Sequence, residues 1–299
     1  SREIQKYKKR LGDRKDGRKL RSLEPLSTVA PFIMPVRSGA TIYFNESVDL
    51  KAINSFVHKK RAEGMPGFGA MHVFYAAYIR TISQKPGINR FLSGLRVYAR
   101  NDIQIDMEVK KELSLNAPGT MMKFFFKPTD TVNDVYNQMN KMIVEYKNSV
   151  EEPSAFDNFA KALGVMPRWL MKAAVGFLNW MDYHGLLPVA WTNLSPFHGS
   201  CVMTSMGSLG IAPVYHPLYN FGNVPVFIAF STSRHENVLN SDGKVEKKHF
   251  LDFNVVVDER ICDGQYYASA MHCLKKYIKN PNPAGNMYFN ISLNIPIDS

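Results

Sequence analysis

The chain has 299 residues, of which 45% are hydrophobic and 12% aromatic, so it can bury a large core and is not mainly disordered. Its three cysteines are too few for a disulfide framework, and no apolar run reaches the roughly 18 residues that indicate a membrane span. Because no leader-like run of basic and then apolar residues is visible, we expect a soluble, cytoplasmic protein.

The net charge of +11 is concentrated at the start of the chain. Residues 1–22 contain ten basic and three acidic residues, a net charge of +7, which leaves +4 for all the other residues. We predict a basic N-terminal arm over residues 1–30 that is either solvated or docked on a neighbouring subunit. Such an arm can also contact an acidic membrane surface. Nucleic-acid binding is disfavoured, because Tyr7 is the one aromatic residue of the basic stretch and no nucleic-acid-binding motif is present.

The next elements alternate between strand and helix patterns. Residues 41–48 alternate as a strand does, and Asp49 is a candidate N-cap of a helix that ends near Gly64. Residues 70–83 are almost all apolar, which predicts a helix buried on more than one side. Strands are predicted over 96–109 and 121–126, and a further helix begins within 129–133.

Residues 167–187 form the most apolar stretch of the chain. Lys172, Asn179 and Asp182 interrupt it, so we do not predict a membrane span. Three interpretations stay open: a core helix, a helix at a subunit interface, and a helix lying in the plane of a membrane.

The last third of the chain contains a hairpin, a helix and an extension. Strands are predicted over 200–204 and 225–232, a hairpin turn at 240–243, and a final helix over 265–279 that Pro281 ends. We take residues 31–281 as one domain and residues 282–299 as a C-terminal extension. Apolar residues occupy every second position from Met287 to Ile297, which predicts a half-buried strand. That strand can pair with its own domain or with the sheet of a neighbour.

The sequence DERICDG, at residues 258–264, carries a resemblance to a known family. It lies between the return strand of the hairpin and the last helix. This arrangement resembles the end of the dihydrolipoyl acyltransferase catalytic domain of 2-oxo acid dehydrogenase complexes, which is related in fold to chloramphenicol acetyltransferase. The family stretch reads Asp-His-Arg-x-x-Asp-Gly, so Glu259 stands where the family has its histidine. Residues 41–49 and 203–210 resemble the family's first core strand and its Ser/Thr-containing strand.

The resemblance implies an α+β fold of the chloramphenicol-acetyltransferase type, with a mixed sheet and packed helices, and a homotrimer with sites at subunit interfaces. It implies that the residue at position 259 is the general base, which takes a proton from the thiol of CoA or dihydrolipoamide or from an acceptor hydroxyl. A hydroxyl of Thr204 or Ser205 from a neighbouring subunit is implied to stabilise the oxyanion, with Asp263 holding the geometry. CoA or acyl-CoA is the cofactor expected if the site is active.

The glutamate at position 259 weakens this chemistry. A free Glu titrates near ~4.3, a His near ~6.5 and a thiol near ~8.5, so Glu loses about 3 kcal/mol of driving force for the proton transfer. General-base catalysis contributes about 10²–10⁴-fold, and most of that contribution is at risk. Burial can raise the pKa of a Glu by several units, so a working Glu259 stays open. Two loop histidines that flank the strand of Thr204, His198 and His216, are substitute candidates.

Each of these residues also has a structural interpretation. Asp263 and Gly264 can simply turn the strand into the helix, and Thr204 or Ser205 can be a buried hydroxyl bonded to the backbone. Cys262 is expected to be a small buried apolar residue rather than a nucleophile. No HxxH, HxxxH or CxxC spacing occurs, so we expect no metal site.

Two hypotheses about function follow. The first is a catalytically degenerate acyltransferase-fold protein whose homo-oligomer serves as a scaffold or self-assembling structural protein, with higher assembly through the C-terminal strand. The alternative is an active acyl-CoA-dependent acyltransferase that uses Glu259 or a loop histidine as its base.

Overall fold

The computed structural model describes residues 8–110, 119–148 and 155–281. In chain order, the strands and helices of these ranges are β1 (Gly17–Lys19), α1 (Pro25–Ile33), β2 (Thr41–Asp49), α2 (Lys51–Ala62), α3 (Ala70–Gln84), β3 (Arg90–Ser93), β4 (Arg96–Arg100), β5 (Ile103–Lys110), β6 (Gly119–Phe126), α4 (Val132–Asn148), α5 (Ala155–Gly164), α6 (Arg168–Tyr183), α7 (Val189–Leu194), β7 (Cys201–Ser205), β8 (Val226–Leu239), β9 (Val245–Asp258) and α8 (Gly264–Lys279).

A six-stranded mixed sheet forms the centre of the fold. Its strand order is β2-β9-β8-β7-β5-β6, with β7 parallel to both of its neighbours and the other pairs antiparallel. A second, three-stranded antiparallel sheet has the order β1-β4-β3. The α+β class with a mixed sheet and packed helices is therefore confirmed.

Helices α3 and α8 cover the inner face of the large sheet. In α3, Phe74 packs on Phe230 of β8, with ring centroids 4.5 Å apart, and Tyr75 and Tyr78 are fully buried. In α8, the predicted inner face is buried, namely Tyr267, Met271, Leu274 and Ile278. Burying such side chains is the main source of stability for the domain, at roughly 25 cal/mol per Å² of apolar area.

Two strands differ most from the sequence prediction. The strand predicted over 96–109 is divided into β4 and β5, because residues 101 and 102 form a bend between them. Strand β8 continues to Leu239, past an irregular register after Phe230, because its outer half pairs with β9 in an exposed hairpin. The predicted turn at 240–243 closes that hairpin.

Helix α6 is not a core helix, and that interpretation was wrong. Asp182 is the one buried residue of Arg168–Tyr183, while Trp169 is 72% and Phe177 59% exposed. The prediction failed because the apolar sequence of α6 indicates burial on all sides, whereas the rest of the chain covers only one side of the helix.

The N-terminal segment is partly built into the fold rather than solvated. β1 pairs with β4 in the same chain, and the Arg14 guanidinium binds Asp16 and Asp182 in ion pairs of 2.9 and 2.8 Å. The expectation of a solvated or neighbour-docked arm is therefore wrong for residues 14–19. The strand predicted in residues 282–299 lies outside the described residues. None of the helices in the described ranges combines the length and the apolar character that crossing a membrane requires.

Candidate functional site

Glu259 lies directly after the end of β9, in the turn that leads to α8. Its backbone N–H donates to the carbonyl of Ala40 at 2.8 Å, which fixes its position beside the start of β2. Its side chain is exposed, and among the described residues no hydrogen bond or ion pair holds it. The chain itself therefore does not provide the burial that would make this carboxylate a better base.

Asp263 begins the helix that follows this turn. Its Oδ1 atom accepts a hydrogen bond of 2.7 Å from the N–H of Tyr266, so it is the N-cap of α8. The carboxylate also stands at the positive end of the helix dipole. The structural interpretation of Asp263, in which it turns the strand into the helix, describes this geometry.

A buried ion cluster that the sequence analysis missed holds the end of β9. Asp258 is 1% exposed and lies between Arg260 and Arg37, which are 3% and 5% exposed. Both Asp258 oxygens accept from Arg260 at 2.8 Å, and Arg37 Nε lies 3.3 Å from Oδ2. Burial lowers the pKa of Arg37, and the charge of Asp258 opposes that shift. The sequence signal for this cluster was the pair of opposite charges at positions 258 and 260 of DERICDG. In the structure the Arg260 side chain folds back onto Asp258.

Arg37 also ties a loop to this end of the sheet. Its guanidinium donates to the carbonyls of Tyr219 at 2.5 Å and Gly222 at 2.8 Å. The end of the loop between β7 and β8, at residues 219–222, is thereby held beside the turn of Glu259.

Thr204 and Ser205 lie at the carboxyl end of β7. Thr204 is half-buried, and Ser205 is exposed with its Oγ atom accepting a hydrogen bond of 3.3 Å from the N–H of Gly207. For Ser205 this matches the structural interpretation in part, because the hydroxyl binds backbone but is not buried.

The two halves of the implied site lie far apart within one chain. Thr204 pairs with Ala229 of β8, and Ala229 pairs with Asn254 of β9. Glu259 is five residues beyond Asn254, which is about 17 Å along the strand at ~3.3 Å per residue. A single chain therefore does not place the hydroxyl beside the carboxylate, and such contact requires two copies.

The two loop histidines differ in accessibility. His198 is fully buried, with Nδ1 2.9 Å from Ser195 Oγ and Nε2 3.4 Å from Asp182 Oδ2. Burial lowers the pKa of His198, while Asp182 opposes the shift. Its imidazole is not accessible to a substrate thiol or hydroxyl in this chain, so the prediction of His198 as a substitute base is wrong for the single chain. His216 is half-buried and stacks on Phe227 with centroids 4.0 Å apart.

Cys262 fits the interpretation as a buried apolar residue. It is 9% exposed, and burial raises the pKa of its thiol to about 12. A thiolate nucleophile is therefore not available at neutral pH.

A charged pair inside the sheet was also missed. Asp106 and Lys123 are cross-strand partners on β5 and β6, with Oδ1 and Nζ 3.8 Å apart. Burial raises the pKa of Asp106 to about 8 and lowers that of Lys123 to about 8, while the opposite charge of the partner works against each shift. Lys123 also donates to the carbonyls of Thr192, Ser195 and His198, so the pair fixes the loop before β7. The sequence signal was Lys123, the one charged residue of the apolar strand β6.

The third buried polar group joins the N-terminal segment to α6. Arg14 donates to Asp182 Oδ1 at 2.8 Å and to Ser93 Oγ at 2.7 Å. Burial alone would raise the pKa of Asp182, but His198 and Arg14 outweigh it and hold that pKa at about 2. Among the described residues there is no group of three His, Cys, Asp or Glu side chains arranged to hold a metal ion.

Comparison with known proteins agrees with the resemblance. Residues 195–285 match the family described as 2-oxoacid dehydrogenases acyltransferase (catalytic domain), and this range contains Thr204, Ser205, Glu259 and Asp263. No curated protein matches the sequence. The family resemblance is thus confirmed for the last third of the chain.

Solved structures with similar folds cover most of the chain. The cubic core of the pyruvate dehydrogenase multienzyme complex is 11% identical over 88% of this chain and 93% of that one, with a TM-score of 0.56. Dihydrolipoamide acetyltransferase of Azotobacter vinelandii, studied for the role of a serine, a histidine and an asparagine in its catalytic mechanism, is 10% identical with the same coverage and TM-score. Chloramphenicol acetyltransferase is 10% identical over 88% of this chain and 100% of that one, with a TM-score of 0.53. The fold is therefore that of the chloramphenicol-acetyltransferase-like acyltransferase cores.

Proposed function

We propose that this chain is a self-assembling scaffold built on the acyltransferase fold and that its acyl-transfer site is catalytically degenerate. The observation that carries the proposal is Glu259, an exposed carboxylate at the motif position of the base. A carboxylate is a weaker acceptor than an imidazole for the proton of a thiol, because its ordinary pKa in water is about 4 units below that of the thiol.

The separation of Glu259 from Thr204 supports assembly. The Thr204 hydroxyl and the Glu259 carboxylate lie about 17 Å apart along the strand direction, so one copy contains two half-sites. In a head-to-tail ring, the Thr204 hydroxyl of one copy meets the Glu259 carboxylate of the next copy. Such an interface gives a closed ring when the rotation between neighbouring copies adds up to a full turn. A trimer is the ring that the family resemblance implies, and a structure of similar fold comes from a cubic core.

An active acyl-CoA-dependent acyltransferase is the second candidate, and one observation favours it. Glu259 and Asp263 are four positions apart, as are the histidine and the asparagine studied in the Azotobacter acetyltransferase. In that case a neighbouring copy would have to bury Glu259 and thereby make it a stronger base.

Thiol release from a panel of acyl-CoA donors separates the two candidates. The scaffold proposal predicts that the wild type and Glu259→Gln release CoA at the same background rate with every donor and acceptor tested. As a matched control, Glu63→Gln changes an exposed glutamate on another part of the surface. Turnover that is lost in Glu259→Gln and kept in Glu63→Gln contradicts the degenerate site and establishes the acyltransferase.

A further inference from the structure

Helix α6 carries an apolar stripe that faces away from the rest of the chain. We define the aromatic stripe as Trp169, Ala173, Phe177, Trp180 and Tyr183. These residues follow one another in steps of four, four, three and three, which places them on one side of the helix. The four aromatic members are 72%, 59%, 51% and 50% exposed in chain order.

The aromatic stripe is continuous toward the C-terminal end of α6. Phe177 and Trp180 stack with ring centroids 6.0 Å apart, and Trp180 also contacts the ring of His184 at 4.8 Å. Scattered apolar residues on a surface are ordinary, but an exposed patch of adjoining rings indicates a contact with an apolar environment.

Cations border the aromatic stripe, and acids are scarce there. In α6 the one acidic residue is Asp182, which is buried and paired with Arg14. In the same helix Arg168 and Lys172 are exposed. The surface around the aromatic stripe is therefore positively charged.

The N-terminal segment adds cations at the C-terminal end of α6. Arg14 is fixed to Asp182 through its carboxylate at 2.8 Å and its carbonyl at 2.6 Å, directly beside Tyr183. The segment around Arg14 exposes four basic side chains and one apolar side chain, namely Lys8, Lys9, Arg10, Lys15 and Leu11, the last being 99% exposed. Two segments that are distant in sequence thus bring positive charge to one apolar surface.

We propose that the aromatic stripe and the adjoining basic segment dock this protein on an anionic membrane surface, with α6 lying in the plane of the lipid headgroups. Trp and Tyr favour the headgroup region, and helices that lie there combine an aromatic face with cations. Lys and Arg close to the surface are attracted by anionic lipids. The proposal goes beyond the scaffold function and does not depend on it.

Charge argues against a second copy as the occupant of this surface. In an antiparallel two-fold contact through the aromatic stripe, Arg168 and Lys172 of one copy would face the C-terminal end of α6 in the other, where Arg14 and the basic segment lie. In α6 no exposed acid is present to pair with them. An anionic lipid surface supplies the missing opposite charge.

Vesicle flotation with the full chain tests this proposal. The vesicles consist of phosphatidylcholine alone or of an equal mixture of phosphatidylcholine and phosphatidylglycerol. The wild type is expected to float with the mixed vesicles at low salt and to dissociate from them at high salt. The double variant Trp169→Ala/Trp180→Ala and the double variant Arg168→Glu/Lys172→Glu are each expected to lower the bound fraction by about tenfold or more.

Matched controls come from the exposed hairpin of β8 and β9. Leu239→Ala removes an apolar side chain that is 71% exposed, and Lys244→Glu/Lys247→Glu makes the same charge change on exposed lysines. Both controls should float like the wild type. The proposal is overturned if the wild type does not float with the mixed vesicles, or if the stripe variants float as well as the controls. A smaller particle in light scattering for the stripe variants, without flotation of the wild type, would assign the surface to a second copy.

Discussion

At the scale of single residues, buried charges fix the positions from which the site is built. Asp258 is held between Arg37 and Arg260, and this cluster sets where β9 ends and where the exposed Glu259 begins. Removing one member of such a cluster leaves the others buried without a counter-charge, which costs more than the pair itself contributes.

Asp258→Ala is therefore expected to lower the free energy of unfolding by about 3–5 kcal/mol, because two buried guanidinium groups lose their carboxylate. Urea denaturation followed by circular dichroism measures the change. Asp252→Ala, which removes a carboxylate paired with Arg234 on the exposed hairpin, should cost at most about 1 kcal/mol. Equal losses in the two variants would show that Asp258 is not the stronger anchor.

A pH dependence follows from Asp182, whose folded pKa of about 2 lies below the ordinary value of 3.8. A depressed pKa stabilises the folded state above the unfolded pKa, and this contribution is lost as the pH falls from about 3.8 through about 2. Over that pH range, the free energy of unfolding of the wild type should fall by on the order of 2 kcal/mol more than that of Asp182→Asn. Chemical denaturation at a series of acidic pH values measures both proteins, and parallel curves would contradict the assigned pKa.

At the scale of elements, sequence patterns predicted the helices whose apolar faces all point into the core. The bounds of α3 and α8 differ from the prediction by one residue, because their periodicity and their burial coincide. Helix α6 was less predictable, since periodicity shows that a face is apolar but not whether the chain covers it. The bend at residues 101–102 was missed because apolar residues continue on both sides of it.

Gly222 shows a constraint that no local pattern reveals. It has a positive φ of 78°, and a Cβ atom there would lie 2.0 Å from the carbonyl oxygen of Phe197, which is distant in sequence. Gly222→Ala should therefore lower the free energy of unfolding by several kcal/mol, so that little folded protein is obtained. Gly243→Ala is the matched control, because its φ is 73° with open space around it.

Gly243→Ala should lower the free energy of unfolding by only about 1–2 kcal/mol, which is the usual cost of an alanine in the left-handed conformation. Thermal unfolding compares the two variants with the wild type. Similar melting temperatures for Gly222→Ala and Gly243→Ala would mean that the loop moves to accept the methyl group and that Arg37 does not hold it rigidly.

At the scale of the whole molecule, the family motif predicts a set of candidate site residues but not their geometry. The family motif identified Glu259, Asp263, Thr204 and Ser205, and all four lie in the matched range. Sequence alone does not show that the hydroxyls and the carboxylate are separated along the strand direction, because that follows from strand order and register. It also does not show the ion cluster of Asp258, whose partner Arg37 is more than two hundred residues away.

Disulfide trapping between copies tests most directly whether assembly joins the two ends. In a Cys273→Ser background, which removes the one cysteine that is not buried, the double variant Ser205→Cys/Glu259→Cys carries a thiol at each end. Within one chain these positions are six residues apart along the register, about 20 Å, so they cannot form a disulfide, which needs Cα atoms within about 7 Å.

Oxidation of the double variant is expected to give covalent dimers and trimers on a non-reducing gel, with no larger species, because a closed ring of three has no free end. The single variants Ser205→Cys and Glu259→Cys should stay at the position of the monomer. A double variant that also stays at the monomer position after oxidation would contradict the assembly of half-sites between copies.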